Sequence, residues 1–262
     1  MDLKYVDFEI QSDIGFITMN NPEKMNAFTL ESARSLTECL NYCSDSDGVR
    51  AVVIRGANGN FCGGGDIKGM KYKVDHDCCE TRPGLRANNA VVRAALNCEK
   101  PVVAWIEGAC AGGGVSLALA CDIAIAQDDS KFVFAFVNIG FVPDMGSNLL
   151  LARAVGKGKA TELVMLGNRF TGRDAADWGI ITRAVPNEDL EAEVMNTAKK
   201  LAAGPTMAYA RMKKLINRVQ YESLEAVMAN EGEYQQQLCK SADHAEAVRA
   251  FFEKRRPVFQ GK

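Results

Sequence analysis

The sequence contains little histidine: His76 and His244 are the only two among 262 residues. So few imidazoles disfavour a Ser/His/Asp triad or a histidine-based metal site, and each histidine is interpreted as a surface or structural residue. Three loop motifs are also missing, namely the dinucleotide fingerprint G-x-G-x-x-G, the phosphate loop G-x-x-x-x-G-K-[ST] and the nucleophile elbow G-x-S-x-G. The sequence therefore gives no support for a resident metal, a bound dinucleotide or an elbow-type hydrolase.

Long apolar runs, a secretory-signal pattern and a strong net charge are not found in the sequence either. No stretch approaches eighteen uninterrupted apolar residues, and the opening MDLKYVDFEI lacks the basic and apolar segments of a secretory signal. The 31 Lys and Arg nearly balance the 33 Asp and Glu, so the net charge of -2 creates no general attraction to nucleic acid or an anionic membrane. The cysteines number nine and include no C-x-x-C pair, which is typical of a reduced compartment. We expect a cytoplasmic protein with no nucleic-acid or membrane partner.

Patterns typical of strands and helices alternate along the first part of the chain. Alternating residues at 6–20 predict a β-hairpin, and apolar positions at spacings of three and four predict a helix at 30–43. The β-branched runs VRAVVIRG and PVVAWIEG are typical of strands that are covered on both faces. The alternation predicts an α/β architecture. Polar residues at 71–86 form the segment with the weakest pattern.

Beyond residue 187 the pattern is helical only. Helices are predicted at 189–203, 206–219, 222–239 and 243–254. We expect one α/β core over residues 1–200 and a helical region over residues 201–262 that packs on this core or on a neighbouring subunit.

Two glycine triplets occur in matching contexts. AVVIRGANGNFCGGGD and PVVAWIEGACAGGGVSLALA each pass from a buried-type strand through a loop into three glycines and then into a helical pattern. Glycine is retained where the backbone adopts positive φ or approaches another group closely, so tight turns alone account for such triplets. Amide groups at the start of a helix also bind anions, so the second triplet is a candidate oxyanion hole. Both interpretations stay open on the residues alone.

Four segments resemble, in order, the signature segments of the enoyl-CoA hydratase/isomerase (crotonase) superfamily: NPEKMNAF, FCGGGDIKGM, EGACAGGGVSLALACDIAIA and the run from Gly140 to Ile181. The resemblance covers nearly the whole chain. It implies a crotonase-like spiral of ββα repeats, a C-terminal helical region engaged in trimer contacts, and an acyl-CoA thioester as substrate. Coenzyme A then enters as part of the substrate, with no separate cofactor, and a homotrimer or a dimer of trimers is expected.

The resemblance also implies a set of site residues. The two oxyanion amide donors fall on Gly65 and Gly113. The residues expected to contact the substrate or its coenzyme A are Lys24, Asn26, Ala27, Gly63, Gly64, Asp66, Ile67, Phe136, Phe141 and Lys254. Among them, Lys254 belongs to FFEKRRPVFQGK, which resembles the family's C-terminal segment of aromatic and basic residues near coenzyme A.

The sequence departs from the hydratases of this family at two positions. Ser116 and Phe136 stand where those hydratases carry glutamate, and water addition needs one group to activate water and another to protonate carbon. The apolar run KFVFAFVNIGFVPDMG instead carries Asp144, placed like the catalytic aspartate of ring-1,2-epoxyphenylacetyl-CoA isomerases and other isomerases of the family. One carboxylate beside an oxyanion hole is enough to move a proton between two carbons. We therefore expect double-bond isomerisation with Asp144 as acid and base.

Other roles for Asp144 stay open at this point. It suits the N-cap of the helix expected to begin near Gly146. Its placement also resembles that of the nucleophile of 4-chlorobenzoyl-CoA dehalogenases, so covalent catalysis followed by hydrolysis is an alternative. A residual hydratase would hold water between Ser116 and Asp144, and a non-catalytic member would bind acyl-CoA without turnover. The surrounding phenylalanines favour a bulky or ring-containing acyl group unless they belong to the core, so fatty-acid and aromatic-acid metabolism are both compatible.

Overall fold

The computed structural model describes residues 1–204, 206–220 and 224–258. Its strands are β1 Val6–Gln11, β2 Ile14–Met19, β3 Ala51–Gly56, β4 Val102–Ile106, β5 Ala109–Ala111, β6 Ile123–Gln127, β7 Lys131–Val133, β8 Phe170–Thr171 and β9 Arg183–Val185. Within these residues the larger sheet is six-stranded, in the order β1-β2-β3-β4-β6-β9, and the smaller sheet has the order β5-β7-β8. The strands β1 and β2 form the predicted antiparallel hairpin, and the neighbours from β2 to β9 pair in parallel.

Helices alternate with these strands and then follow one another to the end of the described chain. They are α1 Leu30–Asp45, α2 Ile67–Asp75, α3 Arg82–Asn97, α4 Gly113–Ala120, α5 Ser147–Leu166, α6 Gly172–Asp177, α7 Leu190–Ala202, α8 Thr206–Gln220, α9 Leu224–Leu238 and α10 Ala242–Phe252. The weakly patterned segment 71–86 was expected to have little regular structure, and that expectation is wrong, since it contains the end of α2 and the first turn of α3. The α2 helix buries none of its residues, so it lacks the apolar stripe by which a helix is recognised in a sequence.

The central strands of the larger sheet are buried on both faces, as their apolar runs predict. In β3, Val52 and Ile54 belong to one hydrophobic cluster and Val53 to the other. Successive strand residues point to opposite faces, so the first cluster packs under α1 and α3 and the second packs under α7. This covering of a parallel sheet by helices confirms the predicted α/β class.

Glycine breaks the regular geometry of α5. The sequence predicts an interruption near Gly156 and Gly158, and Gly156 has the non-helical dihedral angles φ 75° and ψ 161°. The helix continues beyond it to Leu166 and ends with Gly167 in the left-handed conformation, a usual C-terminal cap.

The helices after residue 205 pack on the α/β core of the same chain. In α8, the buried Lys213 places its Nζ 2.7 Å from Oδ2 of Asp122 on the core. The α9 helix contacts α3 and α5, and α10 contacts α2 and the short turn at 137–139. These contacts place the C-terminal helices against the core of the same chain. The division of the chain at residue 200 stays a prediction.

Within the part of the chain that the structure describes, every helix is too short or too polar to cross a bilayer.

Candidate active site

A cavity of about 840 Å³ is lined by residues of both glycine triplets. The strands β3 and β4 are parallel neighbours, so the loops that follow them leave the sheet at the same edge. The carboxyl ends of parallel strands are where such sheets usually bind ligands. The strand order therefore brings together two triplets that are about fifty residues apart in the sequence.

The two triplets contact each other. A Cβ added to Gly64 would lie 3.1 Å from the carbonyl oxygen of Ala111 and 3.7 Å from Cα of Gly112, so a side chain at Gly64 would separate the loops. The left-handed φ of 94° at Gly64 also favours glycine at this contact. Tight packing, the simpler explanation of the triplets, is thus part of their role.

Immediately after this contact, two backbone amides have no acceptor among the described residues. The N–H groups of Gly65 and Gly113 donate no hydrogen bond to any acceptor in the described residues. Gly113 is the first residue of α4, where the helix geometry itself leaves the amides unpaired. Both glycines line the cavity, so these donors are available to a ligand there.

The carboxylate of Asp144 lies in the wall of the same cavity and is buried, with 9% of the residue exposed. It does not occupy the N-cap of α5: the helix begins at Ser147, its N-cap is Gly146, and no side chain caps it. Instead the backbone carbonyl of Asp144 accepts hydrogen bonds from Ser147, at 2.7 Å from Oγ and 3.1 Å from N. The next residue, Met145, is fully buried with a left-handed φ of 57°, an uncommon conformation for a residue with a long side chain. The backbone around Asp144 is therefore fixed by the turn, which leaves the carboxylate to face the cavity.

Gln235 of α9 reaches this carboxylate. Its Nε2 donates to the carbonyl oxygen of Val142 at 3.1 Å and to Oδ2 of Asp144 at 3.4 Å. Gln235 is 2% exposed and lines the cavity, but the sequence analysis did not identify it. A signal existed, because Gln235 lies seven residues after Met228 and four before Cys239, both of which are buried.

Ser116 and Phe136, which replace the family's two glutamates, have different environments. Ser116 is fully buried on α4, and its hydroxyl donates to the carbonyl oxygens of Gly112 at 3.3 Å and Asp144 at 3.4 Å. It is not among the residues that line the cavity. Phe136 does line it, and its ring would lie 3.6 Å from a Cβ added to Gly112. Where hydratases of the family carry their second glutamate, this chain thus has an apolar ring that lines the cavity beside the second triplet.

The phenylalanines around Asp144 divide between the core and the cavity. Phe134 is fully buried and stacks on Phe170, with ring centroids 6.3 Å apart, so it belongs to the core. Phe136 and Phe141 line the cavity and are each 8% exposed. Some of these phenylalanines therefore pack in the core, whereas others form the surface of the cavity.

Near the first triplet, the loop expected to bind coenzyme A is organised by polar contacts. Lys24 Nζ lies 2.6 Å from Oδ2 of Asp66, and this hydrogen bond raises the pKa of Lys24. The other oxygen of Asp66 accepts from the amide of Gly69 and so caps α2. Lys24 itself does not line the cavity, whereas Asp66 and Ile67 do, together with Gly63 and Gly64.

Asn26 and Ala27 are buried in this loop and do not line the cavity. The side chain of Asn26 accepts from the amide of Asn21 at 2.9 Å and donates to the carbonyl oxygens of Ala57 and Asn60. Because these bonds occupy both ends of its amide, the structure gives Asn26 a part in holding the loop rather than a contact with ligand. Its left-handed φ of 56° is one that asparagine tolerates.

At the other end of the chain, Lys254 is exposed and does not line the cavity. Phe251, three residues earlier on α10, does line it, although 57% of this residue is exposed. The last four residues of FFEKRRPVFQGK lie outside the described residues.

His244 of α10 is a further residue that the sequence analysis did not place at the site. It is 2% exposed, lines the cavity and stacks on Phe141 with ring centroids 4.0 Å apart. Its Nδ1 lies 2.7 Å from the carbonyl oxygen of Ile139, and burial lowers its pKa. Its spacing to Ala247 and Val248 puts it on the buried stripe of α10, a signal that it is not a surface residue.

Comparison with known proteins agrees with this arrangement. A sequence model of the family described as Enoyl-CoA hydratase/isomerase matches residues 9–262. The chain is 34% identical over 261 residues to the 1,2-epoxyphenylacetyl-CoA isomerase of Escherichia coli, covering 99% of this chain and 100% of that one. It is 32% identical over 264 residues to the trans-2-decenoyl-[acyl-carrier-protein] isomerase of Streptococcus mutans, with 100% of both chains covered.

Comparison with solved structures points to the same family. The crystal structure of an enoyl-CoA hydratase from Mycobacterium avium subsp. paratuberculosis matches with a TM-score of 0.90 at 31% identity, and the match covers 98% of this chain and 99% of that one. The predicted resemblance and the predicted crotonase fold are both confirmed. The names of these relatives include isomerases and a hydratase, and all of them are enzymes. The chain therefore belongs to the enoyl-CoA hydratase/isomerase family and is an enzyme of that family.

Proposed function

We propose that the protein is an acyl-CoA isomerase that moves a double bond in an enoyl-CoA thioester. Asp144 is the acid and base, and the amides of Gly65 and Gly113 form the oxyanion hole. The observation that carries the proposal is the presence, in one cavity wall, of a buried carboxylate and of two amides that have no acceptor in the described residues. That both curated relatives described above are named isomerases supports it.

The amides act on the thioester oxygen. When a proton leaves the carbon next to the thioester carbonyl, the electron pair moves into the carbonyl and negative charge develops on its oxygen. Donors that are already fixed and unpaired stabilise this charge without reorganisation, and each is typically worth roughly 2.7–4 kcal/mol. Because Gly113 is the first residue of α4, the positive end of that helix dipole also stabilises the negative charge on the oxygen.

Asp144 moves the proton. In a 3-enoyl-CoA, its carboxylate takes a proton from C2, which leaves a dienolate with charge spread over the thioester oxygen and C4. The same carboxyl group then returns the proton to C4, and the double bond lies between C2 and C3 in the product. The proton that Asp144 takes from C2 is the one that it returns to C4, so the carboxyl group ends in its original state. This reaction therefore needs neither the second glutamate of the hydratases nor an external acid.

Ser116 and Phe136 support isomerisation over hydration. A hydratase needs a group that holds and deprotonates water, but the Ser116 hydroxyl donates to two backbone carbonyls and does not line the cavity. Phe136 lines the cavity with an apolar ring and cannot take part in proton transfer. The apolar wall also limits water next to the dienolate, which protects it from side reactions.

The coenzyme A part of the substrate is proposed to lie across the first triplet. Asp66 and Ile67 line the cavity at the start of α2, and the Lys24 side chain, 35% exposed, is held next to them by Asp66. Lys24 then provides a fixed positive charge near the triplet for the phosphates of coenzyme A.

We also propose that α8 is a subunit contact of a homotrimer or a dimer of trimers. Its exposed residues include four large apolar side chains: Met207, Met212, Leu215 and Ile216, which are 54–79% exposed. Apolar patches of this kind usually mark protein contacts. Sedimentation or light scattering of the purified protein gives the mass of the particle, and a monomer at micromolar concentration would contradict this proposal.

The experiment that tests the reaction is product analysis. Purified protein is mixed with a trans-3-enoyl-CoA and, separately, with a trans-2-enoyl-CoA, and the products are identified by absorbance of the conjugated thioester and by mass. Isomerisation predicts interconversion of the two isomers at constant mass. Accumulation of a hydroxyacyl-CoA, heavier by one water, would instead establish a hydratase, and free coenzyme A would establish hydrolysis.

A further inference from the structure

Within the part of the chain that the structure describes, the imidazole of His244, which lines the cavity, has one ring nitrogen without a hydrogen-bond partner. Its Nδ1 lies 2.7 Å from the carbonyl oxygen of Ile139, and because a carbonyl only accepts hydrogen bonds, Nδ1 carries the proton. In the neutral ring Nε2 then has a free electron pair, and burial, which lowers the pKa of His244, keeps the ring neutral near pH 7. No group in the described residues donates a hydrogen bond to Nε2.

The imidazole is held in this orientation from three sides. Its ring stacks on Phe141, and the Ile139 carbonyl holds one edge. Gly140, with a left-handed φ of 67°, allows the chain to pass close to α10, since a Cβ there would lie 3.3 Å from Cα of His244. A ring fixed in this way is preorganised to bind one partner in one direction.

Gln235 has a second unpaired acceptor in the same wall. Its Nε2 is assigned by its neighbours, because the Val142 carbonyl oxygen 3.1 Å away can only accept a hydrogen bond. The Oε1 of Gln235 is therefore the free end of the amide, and it is buried without a hydrogen-bond partner in the described residues. A buried acceptor left unpaired is unfavourable and requires an explanation, such as a ligand that pairs with it.

The residues that carry the two acceptors contact consecutive residues of one loop. His244 stacks on Phe141, and Gln235 bonds to the carbonyl of Val142, the next residue. Both residues line the cavity that contains Asp144. Where His244 and Gln235 line the cavity, they thus carry hydrogen-bond acceptors, in contrast to the amide donors of the glycine triplets. The rings of Phe136 and Phe141, which also line the cavity, are apolar.

We propose that His244 and Gln235 form a recognition site for a hydroxyl group on the acyl part of the substrate. The inference rests on the proposed function, and it names the class of substrate: a hydroxylated acyl-CoA. A hydroxyl donates one hydrogen and so pairs with Nε2 of His244 or Oε1 of Gln235. An epoxide or ketone oxygen only accepts, and a plain hydrocarbon chain does neither, so both leave the two acceptors unpaired. Sites built to bind a hydroxyl group reject analogues that lack it for this reason.

The test uses saturated acyl-CoA thioesters, which bind but cannot be isomerised. A series of straight chains that end in a hydroxyl group is compared, by isothermal titration calorimetry, with the same chains ending in a methyl group. We expect one chain length or a few neighbouring lengths at which the hydroxyl tightens binding to the wild-type protein by about tenfold. The quantity compared is the ratio of the two dissociation constants, because a general loss of packing affects both members of a pair.

Two variants of His244 provide a matched pair. In His244→Asn, the amide nitrogen takes the place of Nδ1 and keeps a donor for Ile139, but nothing replaces Nε2. In His244→Gln, the longer amide puts an acceptor near the position of Nε2. The hydroxyl preference should fall to about one in His244→Asn and be retained in part in His244→Gln.

The possible results are distinct. A wild-type protein that binds both series equally at every chain length overturns the hydroxyl site and leaves the isomerase proposal standing. Preference for the hydroxyl that persists in His244→Asn overturns the assignment to His244. A protein that binds neither series contradicts the proposed function itself.

Discussion

The two proposed oxyanion glycines should respond differently to the same substitution. A Cβ on Gly113 would lie 2.9 Å from Sδ of Met145 and 3.1 Å from Cδ2 of Phe28, both of which are buried. These distances are shorter than ordinary contacts between carbon and carbon or sulfur atoms, so the two side chains, both of which line the cavity, would have to shift to admit a methyl group. Overpacking of this kind costs roughly 1–3 kcal/mol. A cost of about 2 kcal/mol lowers the melting temperature of a chain of this size by roughly 4–8 °C.

The matched control is Gly65→Ala. Among the described residues, a Cβ on Gly65 meets only the terminal methyl of Met70, at 2.8 Å, and that flexible side chain is half-buried and can move aside. We therefore expect a melting temperature near that of the wild type, with a reduced rate because the new methyl group narrows the cavity. Gly113→Ala should lose both stability and rate, and the rate should fall by about 10²–10³ if the amide is displaced.

Thermal unfolding by circular dichroism and turnover of a trans-3-enoyl-CoA measure these effects on both variants. Equal melting temperatures for Gly113→Ala and Gly65→Ala would refute the packing argument. A Gly113→Ala protein with wild-type turnover would refute the assignment of that amide to the oxyanion hole.

Three further predictions concern other parts of the molecule. Lys213→Met should destabilise the protein by about 2 kcal/mol in urea unfolding, because Asp122, whose side chain is 24% exposed, loses a charged hydrogen-bond partner. The double variant with Asp122→Leu should recover part of the loss, and no change on Lys213→Met would contradict this. Burial lowers the pKa of His244 in the folded chain, so as the pH falls below about 6.5 the unfolded chain takes up a proton before the folded chain does. Stability is therefore lost as the pH falls from there through the pKa of the folded state. The free energy of unfolding in urea should depend less on pH in His244→Gln than in the wild type. Ser116→Ala should leave the ratio of isomerised to hydrated product unchanged, since the Ser116 hydroxyl does not line the cavity; a lost hydratase activity would instead revive the residual hydratase.

Much of the fold could be predicted because its signals are local. The hairpin, the buried strands β3 and β4 and the two glycine triplets each follow from a pattern within one short stretch of the sequence. The α2 helix could not be predicted in this way, since it buries none of its residues and its sequence therefore shows no apolar stripe. Its start is marked only by the side chain of Asp66, which caps it.

The parts of the site that come from distant segments were harder to predict. Gln235 and His244 are polar residues on helices that the sequence shows as amphipathic, and only the packing of α9 and α10 against the core brings them to Asp144 and Phe141. Asn26 was expected at the ligand because its loop resembles the segment with which the family holds coenzyme A. Its side chain instead holds the loop, because three backbone groups across a turn satisfy it.

The central claim is that Asp144 carries the proton, and the most direct measurement compares the wild type with Asp144→Asn. Asparagine keeps the size of the side chain but cannot take up a proton, so binding of a saturated acyl-CoA is measured first to show that the cavity is intact. Each protein is then mixed with a trans-3-enoyl-CoA, and the absorbance of the conjugated thioester is followed. The account predicts a rise with the wild type and a rate lower by about 10²–10⁴ with Asp144→Asn at similar affinity. An equal rise with both proteins would contradict the role of Asp144.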